Sequence, residues 1–490
     1  MSKQNRYITT TLPYVNADPH LGHALEFVEA DAYARYCRLV GDEVFFNSGT
    51  DEHGQKVYQK AMEAGEAPEV YATRYAERFK KLLSELNISE HNFIRTTDAP
   101  HMAAAQEFWH RCEQNGFIYK KKYTGLYCVA DEVFLTRRDL DERGRCKNHP
   151  DSELTEIEEE NYFFKFSAFQ DKLLALYRNN PEFVVPQGRL HEIETFVAGG
   201  LEDFSISRLK ERMPWGVPVP GDEAHVMYVW FDALVNYISA IGWPENMNKF
   251  GTWWPVIQFA GKDNLGHQAA RWQAMLFAVG LPPSKQIVIH GFITSGGVKM
   301  SKSVGNVIDP FGIVSRYGTD ALRYYLLREI SPFEDGDFTE VRFVEAYNAN
   351  LANGIGNLTS RIMKMAVNYD VRIETPASIT LVMHGTPKGE DLVWRAMDAY
   401  RFNGAMDAIW NEIANLDAFI QKTEPFKKWK TAPDEAKKDV EILLKHLWDI
   451  SVFLEPFMPD TAQKIRTAIK NHEMPEPLFK RIESVTWDTA

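Results

Sequence analysis

Arg6-Tyr-Ile-Thr-Thr-Thr-Leu12 runs through the turn residues Pro13, Asn16 and Asp18 into Pro19-His20-Leu21-Gly22-His23. Leu25, Val28, Ala32, Tyr36 and Leu39 then recur every three or four residues up to Gly41. β-Branched and aromatic residues favour an extended strand, the Pro/Asn/Asp cluster a turn, and the three-to-four periodicity a helix that a glycine stops. A second such unit follows. Glu43-Val-Phe-Phe-Asn47 reads as a strand, Ser48-Gly-Thr-Asp-Glu-His-Gly54 as a polar loop, and the stretch from Gln55 as a helix. This alternation predicts an α/β fold with a doubly wound parallel, Rossmann-like sheet that holds ligands at the carboxyl ends of its strands.

Working outward, helical periodicity continues to about Asn115, after which residues 121–160 become polar, turn-rich and cysteine-bearing. An inserted domain is expected over 116–223. The strand-like run 224–230 marks the expected return to the sheet, with 251–259 and Gln286–His290 as further strands. The nucleotide-binding domain is therefore read in two halves, 1–115 and 224–290. Residues 291–341 carry a glycine-flanked lysine loop. From 342 to 490 strand signals give way to long amphipathic helical patterns, including 402–423 and 436–457, which predicts an all-α bundle.

The 490 residues exceed one hydrophobic core, and 44% hydrophobic with 25% charged residues is the composition of a soluble globular chain. No apolar run approaches the roughly 18 residues of a membrane span, and the amino end is polar, so a cytoplasmic protein without a membrane partner is expected. A net charge of −13 argues against wholesale wrapping of nucleic acid, leaving local contacts. The four cysteines, at 37, 112, 128 and 146, are too few for a disulfide framework and read as reduced thiols or metal ligands.

Two motifs carry chemistry. His20-Leu-Gly22-His23 sits where a strand hands over to a helix, whose unpaired N–H groups and partial positive charge suit phosphates. Gly22 permits close approach, and the two imidazoles can donate to phosphate oxygens as charge develops. Helix capping by the histidines is the alternative reading. Lys299-Met-Ser-Lys302-Ser303, between Gly296-Gly297 and Gly305, describes a mobile loop whose ammonium groups can neutralise a leaving pyrophosphate. There is no Walker loop.

In these two motifs the sequence resembles the class I aminoacyl-tRNA synthetases. The resemblance implies in-line attack of an amino-acid carboxylate on the α-phosphorus of ATP, with Mg2+ accompanying the ATP, and no side-chain nucleophile. It implies that His20, Gly22 and His23 bind ATP, that Lys302 and Lys299 stabilise pyrophosphate departure, and that Asp263 in Gly261-Lys-Asp263 supports the nucleotide.

Thr11-Leu12-Pro13-Tyr14, Gly49-Thr-Asp51-Glu-His-Gly54, Glu160-Asn-Tyr-Phe-Phe164, Tyr228-Val-Trp230-Phe-Asp-Ala233 and Ile289-His-Gly291 look like the methionine-specific branch of that class. L-Methionine is unbranched and polarisable, so a selective pocket should offer aromatic faces and one polar donor to its sulfur. Leu12, Tyr14, Trp230, Ala233, Tyr237 and Gln268 are the expected lining, with Asp51 pairing the substrate ammonium. The family usually has phenylalanine and histidine five residues after the aspartate of Gly-Lys-Asp; this chain has His267-Gln268.

The resemblance further implies methionine tRNAs, initiator and elongator, as partners, and a monomer. Asn357 and Arg361, four apart on one helical face, and Phe426 or Trp429 after Pro425 are the expected readers of the anticodon, beside Lys422, Lys427, Lys428 and Lys430. Cys128-x-x-Asp131 and Cys146-x-x-His149 align with a zinc knuckle in which aspartate replaces one cysteine. Zinc and a metal-free knuckle both stand as readings.

Overall fold

A computed structural model describes residues 3–128, 133–135, 140–147, 150–300, 306–375 and 387–483. Its centre is a six-stranded sheet in the order Asn92–Arg95, Glu43–Thr50, Asn5–Thr9, Val256–Gly261, Gln286–His290, Val184–Val185. Every pairing in it is parallel. The strand Asn5–Thr9 is flanked by Glu43–Thr50 on one side and Val256–Gly261 on the other, so the winding reverses there. That seam is where a doubly wound sheet opens a crevice for ligands. The strand Val256–Gly261 is buried along its whole length, as a central strand covered on both faces requires.

The helix Leu21–Leu39 follows the first strand and buries 14 of its 19 residues. Among them are Glu26, Glu29 and Asp31, charges that a helix tolerates inside only when they are partnered or neutral. At Gly49, a Cβ would fall 1.8 Å from the carbonyl oxygen of Ile94, so the close pass between the second and third strands admits only glycine.

Several strand expectations differ from the fold. The run at 224–230 does not return to the sheet: Asp222–Met227 pairs antiparallel with Ser207–Leu209 and Pro218–Val219 in a small separate sheet, and Val229–Leu234 is a helix. Asp222–Met227 is the central strand of that small sheet, paired on both sides. Residues 251–253 close the helix Met247–Trp253, and the strand begins only at Val256. The outer strand Val184–Val185 comes from within the 116–223 stretch. Otherwise that stretch carries a long hairpin, Ile118–Cys128 with Leu154–Phe164, extended by Val133–Leu135 and Phe204–Ser205.

After the last strand, Gly336–Phe338, the described chain is helical, with Phe402–Thr423, Pro433–Leu454 and Pro459–Asn471 forming a bundle. The bundle and the outer face of the sheet share one apolar core. Arg323, fully buried, ties them: its guanidinium donates to the carbonyls of Leu86, Pro456 and Phe457 and pairs with Asp31 at 2.7 Å. From the helix Leu21–Leu39, Tyr36 donates to Asp398 at 2.8 Å and stacks on Trp394. No helix among the described residues is long and apolar enough to cross a membrane.

Candidate active site at the sheet switch point

A cavity of about 590 Å3 opens at the carboxyl ends of Asn5–Thr9 and Val256–Gly261. Leu12, Tyr14, His20, Gly22, His23, Asp51, Trp230, Ala233, Tyr237, Asp263 and Gln268 all line it, brought together from five separate stretches of sequence. The volume lies within the range of small-molecule sites.

At one end the helix Leu21–Leu39 points its amino terminus into the cavity. His20 is its N-cap, and its Nδ1 accepts from the Gly22 N–H at 3.1 Å, while Nδ1 of His23 accepts from the His20 N–H at 3.2 Å. The two rings stack, centroids 3.8 Å apart. A Cβ on Gly22 would sit 3.0 Å from the His20 ring, so the glycine makes room for this arrangement. A backbone N–H can only donate, so each Nδ1 is an acceptor and, in a neutral ring, the proton resides on Nε2. Burial and the neighbouring His20 hold His23 well below the ordinary imidazole range, keeping it neutral. The cap thus fixes the tautomer, placing the imidazole N–H at the opposite ring edge.

Behind the histidines lies a buried charge cluster that the residue-by-residue reading missed. Glu26, one turn on from His23, accepts from the N–H and hydroxyl of Thr11 at 2.6 and 2.5 Å through Oε1 and meets His290 Nε2 at 3.0 Å through Oε2. His290 Nδ1 faces the Gly291 carbonyl oxygen at 2.7 Å, so it must donate there. Burial opposes a charge on His290, but the hydrogen bond to Glu26 and the nearby Glu29 outweigh it and push the imidazole up to about 9. Burial pushes Glu29 up to about 8, with His290 opposing and Glu26 adding to the shift. The i, i+3 spacing of His23 and Glu26 and the Ile289-His-Gly291 stretch were the available signals.

The other end is aromatic. Trp230, on the helix Val229–Leu234, stacks face to face on His267. Tyr237 is buried, and its hydroxyl oxygen accepts from Gln268 Nε2 at 2.8 Å. Asp51 is pinned to the loop carrying Tyr14 by backbone bonds, its N–H donating to the Pro13 carbonyl and its carbonyl accepting from the Val15 N–H. The rest of its motif is scaffold. Glu52 is fully buried and held by both arms of Arg95, at 2.7 and 2.8 Å. His53 meets the buried Asp232 at 3.0 Å, locking the Asp51 loop onto the helix of Trp230 and Ala233. The Asp232 carboxyl resists burial and is held below its usual range by His53 and His101.

Lys299 belongs to the short strand Val298–Lys299, paired antiparallel with Ile293–Ser295, and Met300 reaches the cavity wall. Lys302 lies outside the described residues, as do Asp131 and His149. Cys128 and Cys146 are buried in one small apolar cluster with Leu135, and no group of three or more potential metal-ligating side chains occurs among the described residues.

Asn357 begins the helix Asn357–Tyr369 on its exposed side, and Arg361, one turn on, is ion-paired with Asp417. Phe426 is 47% exposed, whereas Trp429 stacks on Tyr369 with centroids 4.0 Å apart.

A parallel sheet with paired histidines capping a helix at its switch point, joined to a helical bundle, is the arrangement of a class I aminoacyl-tRNA synthetase. Consistently, the chain matches the family described as tRNA synthetases class I (M) over residues 6–363 and the anticodon binding domain of methionyl tRNA ligase over 391–486. It is 40% identical to the methionine–tRNA ligase of Thermotoga maritima, over 98% of this chain and 80% of that one. It is likewise 40% identical to that of Brucella suis, over 95% and 92%. Mycobacterium tuberculosis methionyl-tRNA synthetase in complex with methionyl-adenylate superposes with a TM-score of 0.86 at 37% identity, covering 94% of this chain and 93% of that one. The chain belongs to the methionine–tRNA ligases, which join methionine to tRNA at the expense of ATP.

Proposed function

We propose that this cavity binds ATP and L-methionine end to end, with His20, Gly22, His23 and Asp263 at the nucleotide and Leu12, Tyr14, Asp51, Trp230, Ala233 and Tyr237 around the amino acid. The observation that carries this reading is their convergence on one cavity at the switch point. The helix dipole and the two Nε2–H groups favour negative charge at one end, and the Asp51 carboxylate favours an ammonium at the other. A methionine carboxylate held between them lies in line for attack on the α-phosphorus, displacing pyrophosphate and leaving methionyl-adenylate. The neutral histidines then donate to oxygens that gain charge, with Lys299 and Lys302 neutralising the departing pyrophosphate. In the second step the terminal ribose hydroxyl of tRNA attacks the methionyl carbonyl and releases AMP. Tyr237 offers the sulfur its polar donor.

Mg2+ enters with the triphosphate, whose oxygens and water supply most of its ligands. Cys128 and Cys146 share one small buried cluster, which supports reading their thiols as two ligands of a zinc site. One zinc per chain, lost in Cys146→Ser, would assign it, and a ratio of zero leaves a metal-free knuckle. Asn357 and Arg361 read anticodon edges, and exposed Phe426 is the stacking surface, because Trp429 already covers Tyr369. The enzyme acts in the cytoplasm on initiator and elongator methionine tRNAs, as a monomer that light scattering should weigh at 56.3 kDa.

Isothermal titration with a non-hydrolysable methionyl-adenylate mimic tests the end-to-end arrangement. It should bind once per chain, weaken in Asp51→Ala with methionine alone, and weaken in His23→Ala with ATP alone. Loss of both ligands in both variants, or of neither, would overturn the division of the cavity.

A further inference from the structure

We propose that Gln258, Gln273 and Ser284, none of which touches the cavity, form with Gln268 a one-way hydrogen-bond relay that positions the Tyr237 hydroxyl as a donor into the methionine pocket. The inference rests on the reading that Tyr237 meets the methionine sulfur, and it deepens that reading.

The relay's direction is anchored in the backbone at its far end. The Ser284 backbone N–H donates to Gln273 Oε1 at 3.0 Å, and Gln273 Nε2 donates to the Gln268 backbone carbonyl at 2.7 Å. A backbone N–H cannot accept and a carbonyl cannot donate, so the Gln273 amide has one possible orientation. Its Nε2 also donates to Ser284 Oγ at 3.1 Å, which sends the serine proton to the other contact, Gln258 Oε1, at 2.6 Å. Gln258 must then turn Nε2 to Gln268, where Oε1 accepts at 2.9 Å. That leaves Gln268 Nε2 to donate to Tyr237 at 2.8 Å.

Each link is forced by the one before, and the last consequence falls on Tyr237. Its oxygen accepts from Gln268 and also meets the side-chain amides of Gln258 and Asn236, and among the described residues no hydrogen bond has the hydroxyl as its donor, so its proton is left for the cavity that Tyr237 lines. A thioether sulfur is a weak acceptor with no hydrogen of its own. A hydroxyl free to turn would find water or another partner as readily. A hydroxyl denied that choice discriminates in favour of sulfur. Gln258, Gln273, Ser284 and Gln268 are all buried, so solvent does not compete along the relay. The relay lets an amide at position 268 do by fixed polarity what an imidazole, with two tautomers, would leave undetermined.

The device should be visible as a ratio. Norleucine is methionine with CH2 in place of sulfur and offers no acceptor, so the ratio of kcat/KM for methionine to that for norleucine in pyrophosphate exchange isolates the sulfur contact. Tyr237→Phe should lower this ratio about five- to tenfold, the effect of one hydrogen bond. Gln258→Leu, which cuts the relay, and Ser284→Ala, which removes its proton, should lower it comparably, with KM for ATP unchanged. Ser284→Thr, which keeps the hydroxyl, should retain the wild-type ratio. If Tyr237→Phe lowers the ratio while Gln258→Leu and Ser284→Ala do not, the relay is overturned and the sulfur reading survives. If Tyr237→Phe leaves the ratio unchanged, both fall. Should Gln258→Leu fail to fold, the contrast between Ser284→Ala and Ser284→Thr decides alone.

Discussion

The Trp230 indole and the His267 imidazole lie face to face, ring centroids 3.5 Å apart and 16° from parallel, and the indole forms part of the cavity wall. Burial and the adjacent Arg271 hold His267 well below the ordinary imidazole range, so the stack is between neutral rings at pH 7. Trp230→Ala removes the aromatic face that we propose packs against the methionine side chain. KM for methionine should rise about tenfold, with KM for ATP unchanged, in steady-state pyrophosphate exchange. A parallel rise in both would move Trp230 out of the amino-acid end.

The stacked histidines make a sharper prediction. His23→Ala removes a donor that acts mainly on charge developed in the transition state, so kcat for activation should fall about 10² to 10³-fold, with a smaller rise in KM for ATP. Gly22→Ala forces a Cβ to within 3.0 Å of the His20 ring and should reproduce part of that loss without removing any donor. Single-turnover formation of adenylate measures both.

The sequence disclosed the cavity well because its lining residues sit in short motifs beside turns, where residue type and role coincide. Tyr14 and Asp51 face the site from loops, and His20 does so from a helix start. What lay behind them was not legible. Glu52 and His53 share a motif with Asp51 yet face inward to Arg95 and Asp232, a distinction that depends on which way each side chain turns at the end of a strand. Glu29 reads as an exposed helix charge until the fold shows the helix covered on nearly all sides. The strand expected at 224–230 forms as Asp222–Met227 but joins a different sheet, because β-propensity does not specify which sheet a strand joins.

The Glu26–Glu29–His290 cluster should make stability decline from mildly acidic pH to about pH 9. Both Glu29 and His290 have folded values raised above their ordinary ones, to about 8 and about 9. Each therefore binds its proton more tightly folded than unfolded, and stability falls as pH rises through those values. The decline should begin above the ordinary carboxyl range and continue to about pH 9. Glu29→Gln keeps the shape without the titration, so its Tm should decline less between pH 5 and 8 than that of the wild type. Equal slopes in thermal melts across that window would contradict the assignment.

Arg323 holds the catalytic sheet to the bundle through three carbonyls and Asp31. Arg323→Leu leaves those acceptors buried without their donor, and Asp31 with Arg35 as its remaining ion-pair partner beside the Ser89 N–H. The loss should be about 3 kcal/mol, measured by urea unfolding.

Phe426→Ala should raise KM for tRNA in aminoacylation while leaving pyrophosphate exchange, which needs no tRNA, unchanged. Trp429→Ala should instead lower Tm, since its ring covers Tyr369. The reverse pattern would exchange their roles.

Everything proposed for this cavity depends on its activating methionine. Amino-acid-dependent exchange of radiolabelled pyrophosphate into ATP tests it most directly, with methionine run beside leucine, isoleucine, valine and cysteine, and Lys302→Ala as the control. Exchange is expected with methionine, none of comparable kcat/KM with the others, and a large loss in the variant. Exchange driven equally well by another of these amino acids, or by none, would contradict it.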